Sequence, residues 1–338
     1  MNRIPLLCLA ALAFAQFAAA RTLKVVTTTA DLASIVLAVG GNKVSVSSLI
    51  VGARDPHRIE AKPSYMSRVG SADLFVAVGL ELEVGYERAI LDGSSNSNVA
   101  IGARGHLYAA DFAVILEKPT SQVSRAAGDV HPYGNPHFWL DPFNVRLIAV
   151  GLANKMGQLD PEDAAYFKSN AQKFNAQIDE SMFGSAMLQK FGASKLWEWS
   201  KNGGFLKNAQ ANGAAGMIGG WEAKLARYSG SPIITYHRSW SYLANRFGLR
   251  VAAELEPKPG LDPTPGHIAS VIKTGSQDGV RAIIQEPFYP TRDAQFVAQR
   301  IGAKVVVVPN SVGQVPEAKG YLSLMDTLVN RLSAALGG

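Results

Sequence analysis

Residues 22–51 read TLKVVTTTADLASIVLAVGGNKVSVSSLIV, and this stretch decides the fold class. Its opening, residues 22–28, is apolar and β-branched, the composition of a strand. Residues 31–39 then place apolar side chains at helical spacing behind Asp31, a favourable N-cap residue, and Gly40-Gly41 stop the helix. Residues 44–51 form a second strand-like run. Strand, helix and strand in such short compass is the unit of a parallel sheet covered on both faces.

The alternation continues with a short helix over 63–71, a strand over 74–78 ended by Gly79, and a helix over 83–91. The middle of the chain differs. Residues 144–156 and 161–189 are almost continuously helical in character, the second run opening on Asp160-Pro161-Glu162-Asp163. There a cap, a first-turn proline and acids suited to the helix dipole coincide. Tyr166, Ala171, Phe174 and Ile178 keep one apolar stripe, so a long helix is expected to join two αβ halves. Residues 195–221 hold six glycines and three tryptophans (Trp197, Trp199, Trp221), the composition of a linker or of a packed surface loop. Strand-like runs return at 232–236, 251–255, 282–285 and 304–308, with helix-like runs at 240–247, 265–273, 292–301 and 319–336. The expected architecture is α/β: two doubly wound lobes joined by a long rigid helix. The expected divisions are a signal peptide over 1–20, a first lobe over 21–143, a helical connector over 144–190, an insertion over 191–226 and a second lobe over 227–338.

Residues 1–20 read as a secretory signal: Arg3, a mostly apolar run over 4–17, then Ala18-Ala19-Ala20. The sole cysteine, Cys8, lies inside it behind Pro5-Leu6-Leu7, a poor match to a lipoprotein cleavage box. An exported, cysteine-free, soluble chain without a lipid anchor is expected. Net charge is +6, or 6 − 1 = +5 without Arg3, and the excess is dispersed. No basic run interleaves with aromatics, which argues against a nucleic-acid partner.

Three histidines stand in separate loop-like segments. His57 lies in Asp55-Pro56-His57-Arg58-Ile59-Glu60, His137 in Asn135-Pro136-His137-Phe138-Trp139-Leu140-Asp141-Pro142, and His237 at the end of Ile233-Ile234-Thr235-Tyr236-His237. Imidazole is the commonest metal-binding side chain, and three on one centre make a zinc-type ligand set. In doubly wound sheets ligands bind beyond the carboxyl ends of the strands. His237, Glu286 and Asn310 fall at or just after such ends, and a cleft between the lobes would be the site. Proline before two of the histidines stiffens the loops. Asp55 and Glu60 near His57, and Asp141 after His137, are the acceptors expected for the far ring nitrogens. His106 and His267 have no supporting motif and read as surface residues.

These segments resemble the periplasmic solute-binding proteins of zinc and manganese ABC transporters. The resemblance rests on residues 55–63 with Ala72-Asp73-Leu74, on residues 136–142, and on His237 with Trp240, Tyr242, Phe247, Gly248-Leu249, Glu256-Pro257 and Pro265. Gln285-Glu286-Pro287 and Pro309-Asn310-Ser311 complete it. It implies two αβ lobes joined by one long helix, with a metal between them and no catalytic activity. It further implies His57, His137 and His237 as ligands, with zinc (Zn2+) favoured over manganese (Mn2+) or iron because histidine holds the third position. The family's fourth ligand is often an aspartate where this chain has Asn310, so Glu286 is the favoured replacement and Asn310 the other candidate position. The implied partners are a membrane permease and, further, a periplasmic metallochaperone; a monomer is expected. The family's long histidine-rich loop is missing: residues 118–135 hold only His131, an accessory-ligand candidate. The 191–226 segment looks like an insertion that shapes the cleft rim or meets the permease. An exported zinc hydrolase is the rival class, but the chain has no His-Glu-x-x-His helix and no Gly-x-Ser-x-Gly elbow. A receptor for an organic chelate or vitamin is a third.

Overall fold

The computed structural model describes residues 22–121 and 131–337. The expected signal segment, with Cys8, lies outside the described residues. The first lobe is built from β1 (Leu23–Thr27), α1 (Ala30–Gly40), β2 (Val44–Ser48), α2 (Pro63–Gly70), β3 (Leu74–Ala77), α3 (Glu87–Ser94) and β4 (His106–Tyr108). All strands pair in parallel in the order β2-β1-β3-β4. The helix of the opening stretch starts slightly earlier than its sequence suggests. Thr29, not Asp31, is the N-cap, its side chain accepting from the Leu32 N–H, which leaves the Asp31 carboxylate for another use.

Two local expectations fail here for physical reasons. The helix expected from residue 83 begins at Glu87, because Leu80 and Glu81 adopt left-handed φ of 57° and 65°. Glu83 ties this turn together instead: its carboxylate accepts from the N–H groups of Val78 (2.7 Å) and Gly79 (3.0 Å) and from the Thr28 hydroxyl (2.7 Å). His106, expected at the surface, is buried in β4 with Nε2 3.1 Å from Glu87 Oε1. A strand this short carries no readable periodicity.

After β4 the chain makes α4 (Pro142–Leu159), α5 (Ala164–Phe183), α6 (Ser185–Phe191), α7 (Ala193–Trp199), α8 (Phe205–Ala211) and α9 (Gly220–Leu225). The second lobe follows with β5 (Pro232–Thr235), α10 (Ser241–Phe247), β6 (Arg250–Glu254), α11 (Pro265–Asp278), β7 (Ala282–Gln285), α12 (Arg292–Ile301), β8 (Lys304–Val307) and α13 (Tyr321–Leu336). Its sheet, β6-β5-β7-β8, is again all parallel and repeats the topology of the first.

The expected long helix is a packed hairpin, α4 with α5. Phe167, Ala171, Phe174 and Ile178 form the buried stripe of α5, while Tyr166 points outward to Asn42 Oδ1 at 3.0 Å. At the start of α5, Asn170 Nδ2 donates to Val39 O at 3.1 Å; near its end, Asp179 accepts from Trp197 Nε1 at 2.7 Å. The helix therefore runs from the first lobe to the inserted helices. It stops at Gly184 (φ 76°) rather than continuing to residue 189: a Cβ there would sit 2.8 Å from Gly219 Cα. The segment after it is neither linker nor surface loop. Trp197, Trp199 and Trp221 are buried, and Phe183 meets Trp197 edge-on at 4.8 Å and stacks on Phe205 at 5.2 Å. One apolar cluster runs through Val25, Phe138, Leu152, Phe183, Trp197 and Ile284, so both lobes and the insertion share a core.

Candidate metal centre

The two Pro-His boxes use one local device. In the first, Asp55 Oδ1 accepts from the His57 backbone N–H and faces His57 Nδ1, both at 2.9 Å, and caps the single 3-10 turn Pro56–Arg58. In the second, Asn135 Oδ1 does the same for His137, at 3.0 Å to the backbone nitrogen and 2.9 Å to Nδ1. An Asx side chain two residues before the histidine folds back over the proline and takes the Nδ1 proton. Asp55 is thus the acceptor the sequence suggests. Glu60 is exposed. Asp141 serves elsewhere: it caps α4 through the Phe143 N–H (2.9 Å) and holds Arg246 through two bonds of 2.8 and 2.7 Å. Asn135 went unrecognised, although the shared Asx-Pro-His spacing was the signal for it.

His237 follows β5 directly. Its Nδ1 lies 2.6 Å from Glu256 Oε2, a carboxylate that also accepts from the Gly260 N–H at 3.0 Å. With Nδ1 facing an oxygen acceptor in all three rings, the neutral form of each carries its proton on Nδ1 and leaves Nε2 as a lone-pair donor. The rings converge. Centroid separations are 5.2 Å for His57 and His137, 5.2 Å for His57 and His237, and 5.3 Å for His137 and His237. Among the described residues, these three bring one ligand atom each to within 4.8 Å of one another. They come from the loops beyond β2, β4 and β5, so the site lies between the lobes.

Neither residue nominated for a fourth position belongs to that group. The side-chain oxygen of Asn310 accepts from Gln314 Nε2 at 2.8 Å, and its backbone oxygen accepts from Trp139 Nε1 at 2.7 Å. Glu286 is fully buried, while Arg238 pairs with Glu254 (2.9 Å) and Arg292 with Asp293 (3.3 Å). No well-formed hydrogen bond reaches either Glu286 oxygen. His131 stands beside His57, with Nε2 at 3.2 Å from His57 Nε2 and Nδ1 at 3.1 Å from Leu80 O. His267, on α11, is half-buried and bonds Glu254 O at 2.8 Å.

The electrostatics suit a cation. Burial holds the His137 pKa well below its usual value, and the neighbouring imidazoles add to that. Burial alone would lower His237 too, but the Glu256 carboxylate outweighs it and the net shift is upward. Glu286 is raised to about 7 by burial, against the attraction of His237. A buried carboxylate with unpartnered oxygens next to an imidazole is a site short of positive charge. A cavity of about 270 Å³, lined by His131, His137, His237, Glu117 and Arg238, opens from the histidines.

Known proteins agree with this architecture. A solved structure described as the crystal structure of ZnuA superposes with a TM-score of 0.66 at 19% identity, covering 93% of this chain and 99% of that one. The solute-binding protein FpvC of P. aeruginosa, solved with Ni2+, gives 0.68 at 20% identity over 94% and 97%. In sequence, the high-affinity zinc uptake protein ZnuA of Brucella abortus is 22% identical over 201 residues, 59% of this chain and 49% of that protein. This chain thus spans about half the length of that relative. The metal ABC transporter substrate-binding lipoprotein SloC of Streptococcus mutans is 26% identical over 319 residues, 94% and 90% of the two chains. The sequence model of the periplasmic component A of zinc-uptake complexes matches residues 25–182 and 215–335, leaving out most of the inserted helices. The chain belongs to this zinc-uptake component A (ZnuA) family.

Proposed function

We propose that this protein is a binding protein, not a catalyst, and that it captures one divalent transition metal between its lobes. The observation that carries the reading is the convergence of three imidazoles whose Nδ1 atoms are all bonded to acceptors, which turns three Nε2 lone pairs onto one point. His57, His137 and His237 are the proposed donors. Glu256 and Glu286 supply negative charge behind His237. Zinc is the proposed ion, because imidazole suits zinc whereas manganese favours oxygen-rich surroundings. The names of the Brucella relative and of the family support zinc.

By the same family argument the metal-loaded form delivers its ion to the membrane permease of an ABC transporter in the periplasm, acting as a monomer, with a metallochaperone as a further partner. Among the described residues no helix is long and apolar enough to cross a membrane. The first lobe, the α4–α5 connector with its inserted helices, and the second lobe are proposed as the working units. Titration calorimetry with zinc tests the reading. The wild type should bind one ion, and His57→Ala and His237→Ala should each lose more than the roughly 10–100-fold that removal of an outer hydrogen-bond partner costs. Unchanged affinity in both variants would overturn it.

A further inference from the structure

Two of the three ligand rings are tied to each other across the cleft by a side chain outside the ligand set. Arg58, directly after His57, donates from Nη2 to Gly260 O at 2.9 Å, so a residue of the first lobe is bonded to the second. Each end of this bond meets the acceptor of a ligand ring. Arg58 Nε lies 3.6 Å from Asp55 Oδ2, and the other oxygen of that carboxylate faces His57 Nδ1 at 2.9 Å. The Gly260 N–H donates to Glu256 Oε2 at 3.0 Å, and the same oxygen lies 2.6 Å from His237 Nδ1. One polar path therefore runs from His57 through Asp55, Arg58, Gly260 and Glu256 to His237.

The loop that receives the bond is stiff. Residues 256–262 read EPKPGLD: the prolines at 257 and 259 fix two φ angles, Gly260 takes a left-handed φ of 79°, and the Leu261 N–H donates to Lys258 O at 3.0 Å. Gly260 accepts from Arg58 through its carbonyl and holds Glu256 through its own N–H, so a shift at one contact disturbs the other. The Arg58 side chain is 57% exposed, which lets its guanidinium exchange Gly260 for water while the fold stays intact. The contact also stands at the edge of both cavities beside the histidines. Pro259 lines the one already described, and Arg58 and Asp262 line a second of about 480 Å³ that reaches Asp55 and Tyr289.

We infer that Arg58 is an interlobe latch, a positioning residue whose bond to Gly260 keeps the His57 and His237 boxes in register and slows escape of the bound ion. The inference rests on the metal-binding reading above and adds what governs release. It carries a sign that charge alone does not give. A guanidinium near a bound dication repels it, so loss of Arg58 as a mere charge would tighten binding. Loss of Arg58 as a latch frees the two boxes to part and speeds release.

The test is zinc release from the full chain, followed by stopped-flow absorbance with excess 4-(2-pyridylazo)resorcinol at concentrations where the rate no longer depends on the dye. Arg58→Met keeps the apolar stem and removes the charge and the donors. It should release zinc about ten-fold faster than the wild type, the effect of losing one charged hydrogen bond, with the melting temperature of the metal-free protein unchanged. Arg54→Met removes an exposed cation from the rim of the second cavity but leaves the latch, and should release zinc no faster than the wild type. Three results would overturn the inference while leaving the three-histidine site standing: release from Arg58→Met at the wild-type rate or slower, equal acceleration by Arg54→Met, or acceleration only alongside a lowered melting temperature of the metal-free protein. A wild type that takes up no zinc would overturn the metal-binding reading itself.

Discussion

At the scale of single residues, the histidines depend on their acceptors. Glu256→Ala and Asn135→Ala remove what fixes the tautomers of His237 and His137. Each should weaken zinc binding by about 10–100-fold in a calorimetric titration without abolishing it. Glu286 gives a prediction of opposite character. Its folded pKa of about 7 lies above the usual 4.5, so the folded metal-free protein holds a proton that the unfolded chain releases over that range. Stability contributed by this group is therefore lost as pH rises from about 4.5 to about 7. Glu286→Gln should flatten the fall in melting temperature of the metal-free protein between pH 5 and pH 8; parallel curves for wild type and variant would contradict the assignment. The three histidines and Asp55 were legible because each sits in a short box with proline or at a strand end. Asn135 shares the Asx-Pro-His spacing of Asp55 and was legible by it, whereas Glu256 and the Glu83 turn were not, because their partners are set by loop conformation. Nothing in sequence spacing encodes a carbonyl such as Leu80 O meeting His131 across 51 positions.

At the scale of elements, the start of α4 is the critical joint. Asp141 caps it directly after the His137 box and pairs with Arg246 of α10, whose guanidinium also reaches Ser200 O at 3.1 Å and Oγ at 2.9 Å. The pair is buried on both sides. Removing one partner strands the other charge in the core, a cost of about 3–5 kcal/mol. Arg246→Met should lower stability by that order in urea unfolding, and Asp141→Asn by somewhat less, because it keeps a capping oxygen. The inserted helices are anchored by the same joint. Gly203 has φ 69°, and a Cβ there would lie 2.1 Å from Gly248 Cα, so Gly203→Ala should destabilise the protein measurably in thermal melts. The break at Gly184 escaped sequence reading because the residues before it and residues 185–191 after it both keep helical composition. The burial of Trp197 and Trp199 escaped because glycine-rich composition resembles a loop whether or not its aromatics find a core. That burial also shifts the expectation that the insertion shapes the cleft rim. The cavities flanking the histidines are lined by described residues from outside 191–226.

At the scale of the whole molecule, two sheets of identical order face each other across the histidines, and contacts between the lobes are polar and numerous at the cleft floor. Asp31 of α1 accepts from the Ser311 hydroxyl and from the Val312 N–H (2.9 Å), Tyr321 OH donates to Trp139 O (3.0 Å), and Tyr242 OH donates to Asn135 O (2.7 Å). Such bonds, with a shared core, couple ligand loops from both lobes into one frame. The αβ alternation of both lobes was readable because strand and helix periods differ. The shared core was not, since it depends on which faces of α4 and α5 meet which lobe. An ion held between lobes should stabilise both at once, raising the melting temperature with zinc concentration as a single transition. The most direct test of the central claim is native mass spectrometry with metal analysis of the purified protein. The account predicts one zinc per chain, lost in His57→Ala and in His237→Ala. A metal-free protein whose mass is unchanged by added zinc would contradict it.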